Sequence, residues 1–264
     1  MIGLPTAGRS LPSASVPTLA GRTAGLTRRP TVEAQKGWRE HRSELAALPL
    51  AERFTRIHDL NLWGADQSRS GLGSEPDATL ALRESLPRLL RRLRVGSVLD
   101  LPCGDGGWLI DLLPPDVRYT GIDIVPTLIE RLQARYDEEP ERRFAVGDVL
   151  EGGLPRADLV ICRDLLVHLS LANVRTALRN IAASGTSWVL TTNFPSEPTS
   201  TDIEDGDWRP INLKAAPFGL PEPDVSINER CTEGGGGYAD KSLALWPASC
   251  LPAGHGGEVE PGRS

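Results

Sequence analysis

Three aspartates occupy comparable places in the middle of the chain: Asp100 after the apolar run "SVL", Asp123 after "YTGI" and Asp148 after "FAVG". Each closes a short β-prone segment, which predicts all three on one rim of a sheet. A carboxylate at the end of a second strand can accept hydrogen bonds from both hydroxyls of a ribose. Singly, each acid is as well explained as a solvated strand end or a helix cap; three at successive strand ends point to a ligand site. Between the first two lies "LPCGDGGWL", Leu101 to Leu109. There Gly104, Gly106 and Gly107 allow a tight turn and the approach of a ligand to main-chain N–H groups at the start of a helix expected from about Gly107. A glycine-rich loop alone fits a plain turn equally well. A second candidate group is "CRDLLVHLS". If the chain is helical there, Asp164 and His168 share one face at i, i+4, and a neutral His oriented by a carboxylate can take the proton of a hydroxyl nucleophile. A His beside Leu166, Val167 and Leu169 is also suited to packing or capping.

The elements that must position these residues alternate along the chain. "ELAALPLAERFTRIHDL" predicts a helical lead-in, and "SLPRLLRRLRVG" a helix with Ser85 as N-cap, Leu86, Leu89, Leu90 and Leu93 on one face, and its end at Gly96. Strands follow in "SVLDL", "VRYTGIDIV", "RRFAVGD", "ADLVICRD" and "SWVLTTNF", with helices in "PTLIERLQARY", where Pro126 fits the first turn, and along Leu171, Val174, Leu178 and Ile181. The uninterrupted apolar core Leu159 to Cys162 suits a strand covered on both faces. This alternation predicts an α/β fold: a doubly wound, mostly parallel, Rossmann-like sheet with helices on both faces, ligands lying at the carboxyl ends of the strands. "KSLALW" reads as a late strand that completes it.

The chain has 264 residues, 39% of them hydrophobic, enough for one well-buried domain with tails. A formal net charge of −6 gives no general reason to bind nucleic acid or an anionic membrane. Cys103, Cys162, Cys231 and Cys250 show neither zinc-ligand spacing nor a disulfide framework, so reduced thiols and a cytoplasmic setting are expected, with no metal. No apolar run reaches the roughly 18 residues of a membrane helix. Residues 1–35, rich in Arg, Ser, Thr, Gly and Pro, are expected to form a disordered extension, a transit peptide being the alternative; residues 252–264 read as a flexible tail. The domain is expected over 36–251, with its core at 76–194 and an acceptor-side insertion at 195–228.

"VLDLPCGDGGWL", "GIDIV" and "GDV" together resemble the first three motifs of class I S-adenosylmethionine-dependent methyltransferases, over Ser97 to Asn193. The resemblance implies S-adenosyl-L-methionine as cofactor, with Asp100 near its methionine amino group and Pro102, Cys103, Gly104, Asp105 and Gly106 around that end. It places Asp123 and Ile124 at the ribose, Asp148 and Val149 at the adenine edge, and Cys162 and Arg163 beneath the cofactor. Pro102 stands where the family has the first glycine of its loop, which fixes φ and removes one N–H donor. The wider set "TTNFP", "GDWRPINLKAAPF" and "YADKSLALW" is similar to bacterial small-molecule or sugar methyltransferases.

A nicotinamide-dependent oxidoreductase uses a related sheet, loop and ribose acid, but Asp105 in the loop would repel a pyrophosphate, whereas a sulfonium cofactor carries positive charge. A binding or scaffold module without chemistry is the third reading. The expected activity is O-methylation of a small hydroxylated metabolite or sugar, with Asp164 and His168 as catalytic candidates. Acceptor contacts are expected from "NLWGADQSRSGLGS", Asn61 to Ser74, either as a lid or as a linker anchored by Trp63, and from "GDWRPINLKAAPFGLPEPD", which reads as an acceptor loop or a packed Ω-loop.

Overall fold

The computed structural model describes residues 29–252. Seven strands, β1 (Ser97–Asp100), β2 (Arg118–Asp123), β3 (Arg142–Val146), β4 (Leu159–Cys162), β5 (Trp188–Asn193), β6 (Val225–Asn228) and β7 (Ser242–Pro247), form one sheet in the order β3-β2-β1-β4-β5-β7-β6. The first five run parallel, and β7 lies antiparallel between β5 and β6. The helices are α1 (Glu33–Leu45), α2 (Leu50–Asp59), α3 (Leu80–Leu93), α4 (Pro126–Arg135) and α5 (Leu171–Ala183).

Side chains alternate across a strand, and β4 shows the consequence. Leu159 and Ile161 join the cluster made with Leu82, Leu86 and Leu90 of α3 and Ile129 and Leu132 of α4. Val160 and Cys162 join the opposite cluster, with Val174, Leu178 and Ile181 of α5 and with Trp38, Phe54 and Ile57 of α1 and α2. Both faces are therefore dry, and the doubly wound sheet expected from the alternation is the observed one. No helix among the described residues is long and apolar enough to cross a membrane.

Four local expectations are corrected. α3 begins at Leu80, not after Ser85, and carries Pro87 inside it; a short turn at Asp77–Thr79 feeds straight into the helix, and the buried Ala81, Leu82 and Leu86 outweigh the hydrogen bond that proline removes. It ends on Arg94, left-handed at φ 53°, two residues before Gly96. No α-helix follows the glycine loop: the chain makes turns and a 3₁₀ turn at Ile110–Leu112, because Pro114 and Pro115 stop the segment within two turns of Gly107 and the residue before a proline avoids the α region. The segment from Arg29 is fixed, since Arg29 pairs with Asp240 at 2.7 Å and with Glu197, and α1 starts inside the stretch read as loose. Residues 1–28 and 253–264 of the expected extension and tail lie outside the described residues.

Candidate active site

The loop after β1 is held by the strands and by the segment before α3. Cys103 N–H donates to Ile122 O at 2.9 Å, Gly104 N–H to Asp123 Oδ2 at 2.9 Å, and Asp105 N–H to Ser70 Oγ at 2.9 Å. Asp105 returns the contact by accepting from Ser68 Oγ at 2.7 Å. Gly104 has φ 54°, and a Cβ there would lie 2.4 Å from Ser70 Oγ; only glycine allows both the turn and this close docking. The Asn61–Ser74 segment is thus fastened to the loop as a cover.

The three aspartates lie at the ends of their strands, in different surroundings. Asp123 is buried, its second oxygen accepting from Val125 N–H at 2.9 Å, and burial holds its carboxyl above the usual range. Each carboxylate oxygen has two lone pairs, so each retains one acceptor position. Asp148 accepts from Leu150 N–H at 2.8 Å through Oδ1, while its Oδ2 has no protein partner among the described residues. Asp100 lies deeper: burial pushes its carboxyl up to about 7, against the opposing hydrogen bond that Tyr119 Oη donates at 2.8 Å, and its Oδ1 has no partner.

A cleft of about 960 Å³ opens over this rim, lined by Pro102, Cys103, Gly104, Asp105, Asp123, Ile124, Asp148, Val149, Arg163, Asp164 and His168. Asp100, Gly106 and Cys162 do not line it. Its other walls are Leu50 and Phe54 of α2 and Trp63, Ser70 and Ser74 of the cover. Trp63 stood out in sequence; Leu50 and Phe54 read only as the apolar face of a helix.

Asp164 and His168 share the cleft but not a helix. Asp164 is left-handed at φ 56°, only a 3₁₀ turn spans Leu166–His168, and α5 starts three residues later behind the N-cap Ser170. Asp164 accepts from Lys241 Nζ at 2.7 Å and Thr192 Oγ1 at 3.0 Å, not from His168. His168 Nδ1 lies 2.8 Å from Asp207 O. A carbonyl only accepts, so Nδ1 carries the proton and Nε2 presents a lone pair; burial pushes the imidazole down to about 4. The backbone around it is clamped by Arg209, whose guanidinium donates to Leu166 O at 2.7 Å, Leu169 O at 2.8 Å and Thr201 O at 3.0 Å. Arg209, in the stretch read from sequence as either an acceptor loop or a packed Ω-loop, is buried and points into the protein.

Behind Asp164 lies a buried ionic cluster that sequence reasoning missed. Arg163 Nη2 contacts Glu229 at 2.6 Å and donates to Gly73 O at 2.7 Å, tying the cover to the sheet, and Lys241 Nζ lies 3.6 Å from Glu229. Glu229 and Lys241 come from the ends of β6 and β7, over 60 residues from Arg163, and neither has a local signature. A second cavity of about 530 Å³ adjoins the cleft and shares Trp63, Ser70, Asp164 and His168 with it. No group of three or more His, Cys, Asp or Glu among the described residues could hold a metal ion.

Together, the sheet order and the cleft define a doubly wound α/β protein with its ligand site at the switch point between β1 and β4, where ligands of such sheets bind. Residues 98–184 match the family model described as a methyltransferase domain. Human N-acetylserotonin methyltransferase in complex with S-adenosylmethionine matches at 13% identity over 81% of this chain and 66% of that one, with a TM-score of 0.53. The N-methyltransferase NodS from Bradyrhizobium japonicum WM9, solved with S-adenosyl-L-homocysteine, matches at 20% identity over 55% of this chain and 74% of that one, TM-score 0.41. An amino pentose methyltransferase from Micromonospora echinaspora matches at 20% identity over 42% and 48%, TM-score 0.36. No curated protein sequence matches the chain. Over residues 98–184 the chain therefore carries a methyltransferase domain on a Rossmann-like sheet. The donor set suits S-adenosylmethionine: unfilled acceptor positions on Asp123 and Asp148 for hydroxyl and amino groups, and acidic surroundings for a cation.

Proposed function

We propose that this protein methylates a hydroxyl of a small hydroxylated metabolite or sugar, with His168 as the general base. The observation that carries the reading is the His168 ring. Its Nδ1 is committed to the Asp207 carbonyl, and the residue stands on the wall shared by the two cavities. The larger cleft then holds the cofactor. Asp123 and Ile124 flank its ribose, Asp148 and Val149 its adenine edge, and the Pro102–Gly106 loop its methionine end, with Asp100 and Cys162 behind that wall and Arg163 beside it. When bound, the cofactor supplies an electrophilic methyl on a sulfonium. The acceptor oxygen would take that methyl, the cofactor leaving as the neutral thioether, and His168 Nε2 would hold the proton that the hydroxyl gives up. Because burial keeps the ring neutral, no proton has to leave it first. Trp63 and the cover exclude water and fix the approach, and alignment supplies much of the rate. Asp164 does not orient the imidazole; the Asp207 carbonyl does that, and Asp164 balances Lys241.

The reading is tested by incubating the protein with S-adenosylmethionine and a library of hydroxylated metabolites and mapping the methylated position by mass spectrometry. Methylation on oxygen is expected. Products methylated only on nitrogen, or none from hydroxylated acceptors, would overturn it.

A further inference from the structure

The second cavity meets the cleft at Asp164 and His168, so a molecule seated in it has its reacting group at the base. Its aromatic wall is Phe194, Trp208 and Tyr238, packed edge to face with ring centroids 5.0–6.0 Å apart. Beside them the ionic cluster is unbalanced. Arg163 and Lys241 face three carboxylates: Glu229 at 2.6 and 3.6 Å, and Asp164 at 3.5 and 2.7 Å, while Glu233 has no ion pair within 4.0 Å among the described residues. Glu33, at the rim, is matched by Lys36 at 2.5 Å. Glu233 lines the cavity, and its nearest polar side-chain partner among the described residues is the Cys231 thiol at 4.0 Å. Burial raises the Glu233 carboxyl above its ordinary range, as expected for an anion short of a partner. The position is fixed by the chain behind it: a Cβ at Gly234, φ 58°, would lie 2.5 Å from Pro30 Cγ, so the N-terminal segment closes directly on the glycine run.

We propose that this chamber selects an acceptor carrying a protonated amine beside its hydroxyl, an amino sugar or amino alcohol, whose ammonium pairs with Glu233 next to the Trp208 and Tyr238 rings. The inference rests on the O-methyltransferase reading and narrows its substrate class. An ammonium is stabilised by a desolvated carboxylate and by aromatic faces. It also explains the choice of nucleophile, because an amine that keeps its proton on Glu233 has no lone pair to attack with, and the hydroxyl at His168 reacts.

The experiment uses the full chain saturated with S-adenosylhomocysteine, whose own binding is titrated first and reports on the methyltransferase reading separately. Calorimetry at pH 7 then compares glucosamine with N-acetylglucosamine, and tyramine with N-acetyltyramine, in wild type and in Glu233→Gln. At least one amine is expected to bind roughly tenfold or more tightly than its neutral acetyl form, a factor on the order expected for a charged hydrogen bond. Glu233→Gln should erase that preference while S-adenosylhomocysteine affinity stays within twofold. Equal binding within both pairs, no binding by any of the four probes, or a preference that survives in Glu233→Gln would overturn the proposal.

Discussion

Replacing His168 with Asn keeps a donor for the Asp207 carbonyl and removes the lone pair at Nε2, which makes it the sharpest probe of this site. The ring is buried, and its pKa is pushed from 6.5 to about 4. In the unfolded chain the imidazole takes up a proton near its ordinary value, so between these two pH values the unfolded state binds more protons than the folded one. His168 therefore contributes stability that is present above about pH 6.5 and lost as pH falls toward 4. The gap corresponds to about 3 kcal/mol. Asp100 acts in the opposite sense, because its carboxyl is raised to about 7 and its cost grows as pH rises from 3.8 through that value. The wild-type curve alone is thus a poor readout. Urea unfolding of wild type and His168→Asn at pH 7, 6, 5 and 4 isolates the histidine, and the stability difference between the two proteins should shift by about 3 kcal/mol in favour of the variant across that range. With an acceptor in hand, turnover should fall by roughly 10²–10⁴-fold while cofactor affinity holds. A pH-independent stability difference would refute the buried neutral imidazole, and turnover within a few-fold of wild type would refute its role as base.

Other residues give independent checks. Asp123→Ala should weaken S-adenosylhomocysteine binding by about 1.5–3 kcal/mol, read by calorimetry, since it removes a charged acceptor; an unchanged Kd in a folded variant would take Asp123 out of the site. Gly104→Ala forces a Cβ to 2.4 Å from Ser70 Oγ and should loosen the cover, seen as faster proteolysis within 61–74 and weaker cofactor binding, with Ser70→Gly partly restoring both. Arg163→Met leaves Glu229 only Lys241 at 3.6 Å and should cost about 3–5 kcal/mol in chemical unfolding, whereas Arg163→Met with Glu229→Leu should recover most of it; equal losses in the single and double variants would show the pair to be uncoupled.

What was legible in sequence followed the range of the signal. β4 announced itself because four adjacent residues are buried from both sides, and the helices because their apolar positions recur locally. β6 did not, since only Val225 and Ile227 are turned inward over four residues after a proline-rich stretch. The rim of aspartates was readable because each follows its own strand. The pairing of Asp164 with His168 was not, because the i, i+4 argument assumes a helix and a left-handed Asp164 breaks it. The ionic cluster and the second cavity unite residues from positions 32 to 241, and such contacts exist only once the sheet has closed.

The second cavity has a consequence for how this enzyme can diversify. The stretch matching the methyltransferase family model, residues 98–184, supplies the glycine loop, the three aspartates and His168. The aromatic wall and Glu233 come from outside it: Trp63, Phe194, Trp208, Tyr238 and the segment from Val32. The same flanks also wall the larger cleft, through Leu50, Phe54, Trp63, Ser70 and Ser74, and hold Arg163 and Asp164 through Glu229 and Lys241. On the acceptor reading proposed above, a graft of the N-terminal segment together with residues 194–241 is the unit that would move acceptor preference, and Trp63, Ser70, Asp164 and His168, which line both cavities, form the seam at which the two parts must agree.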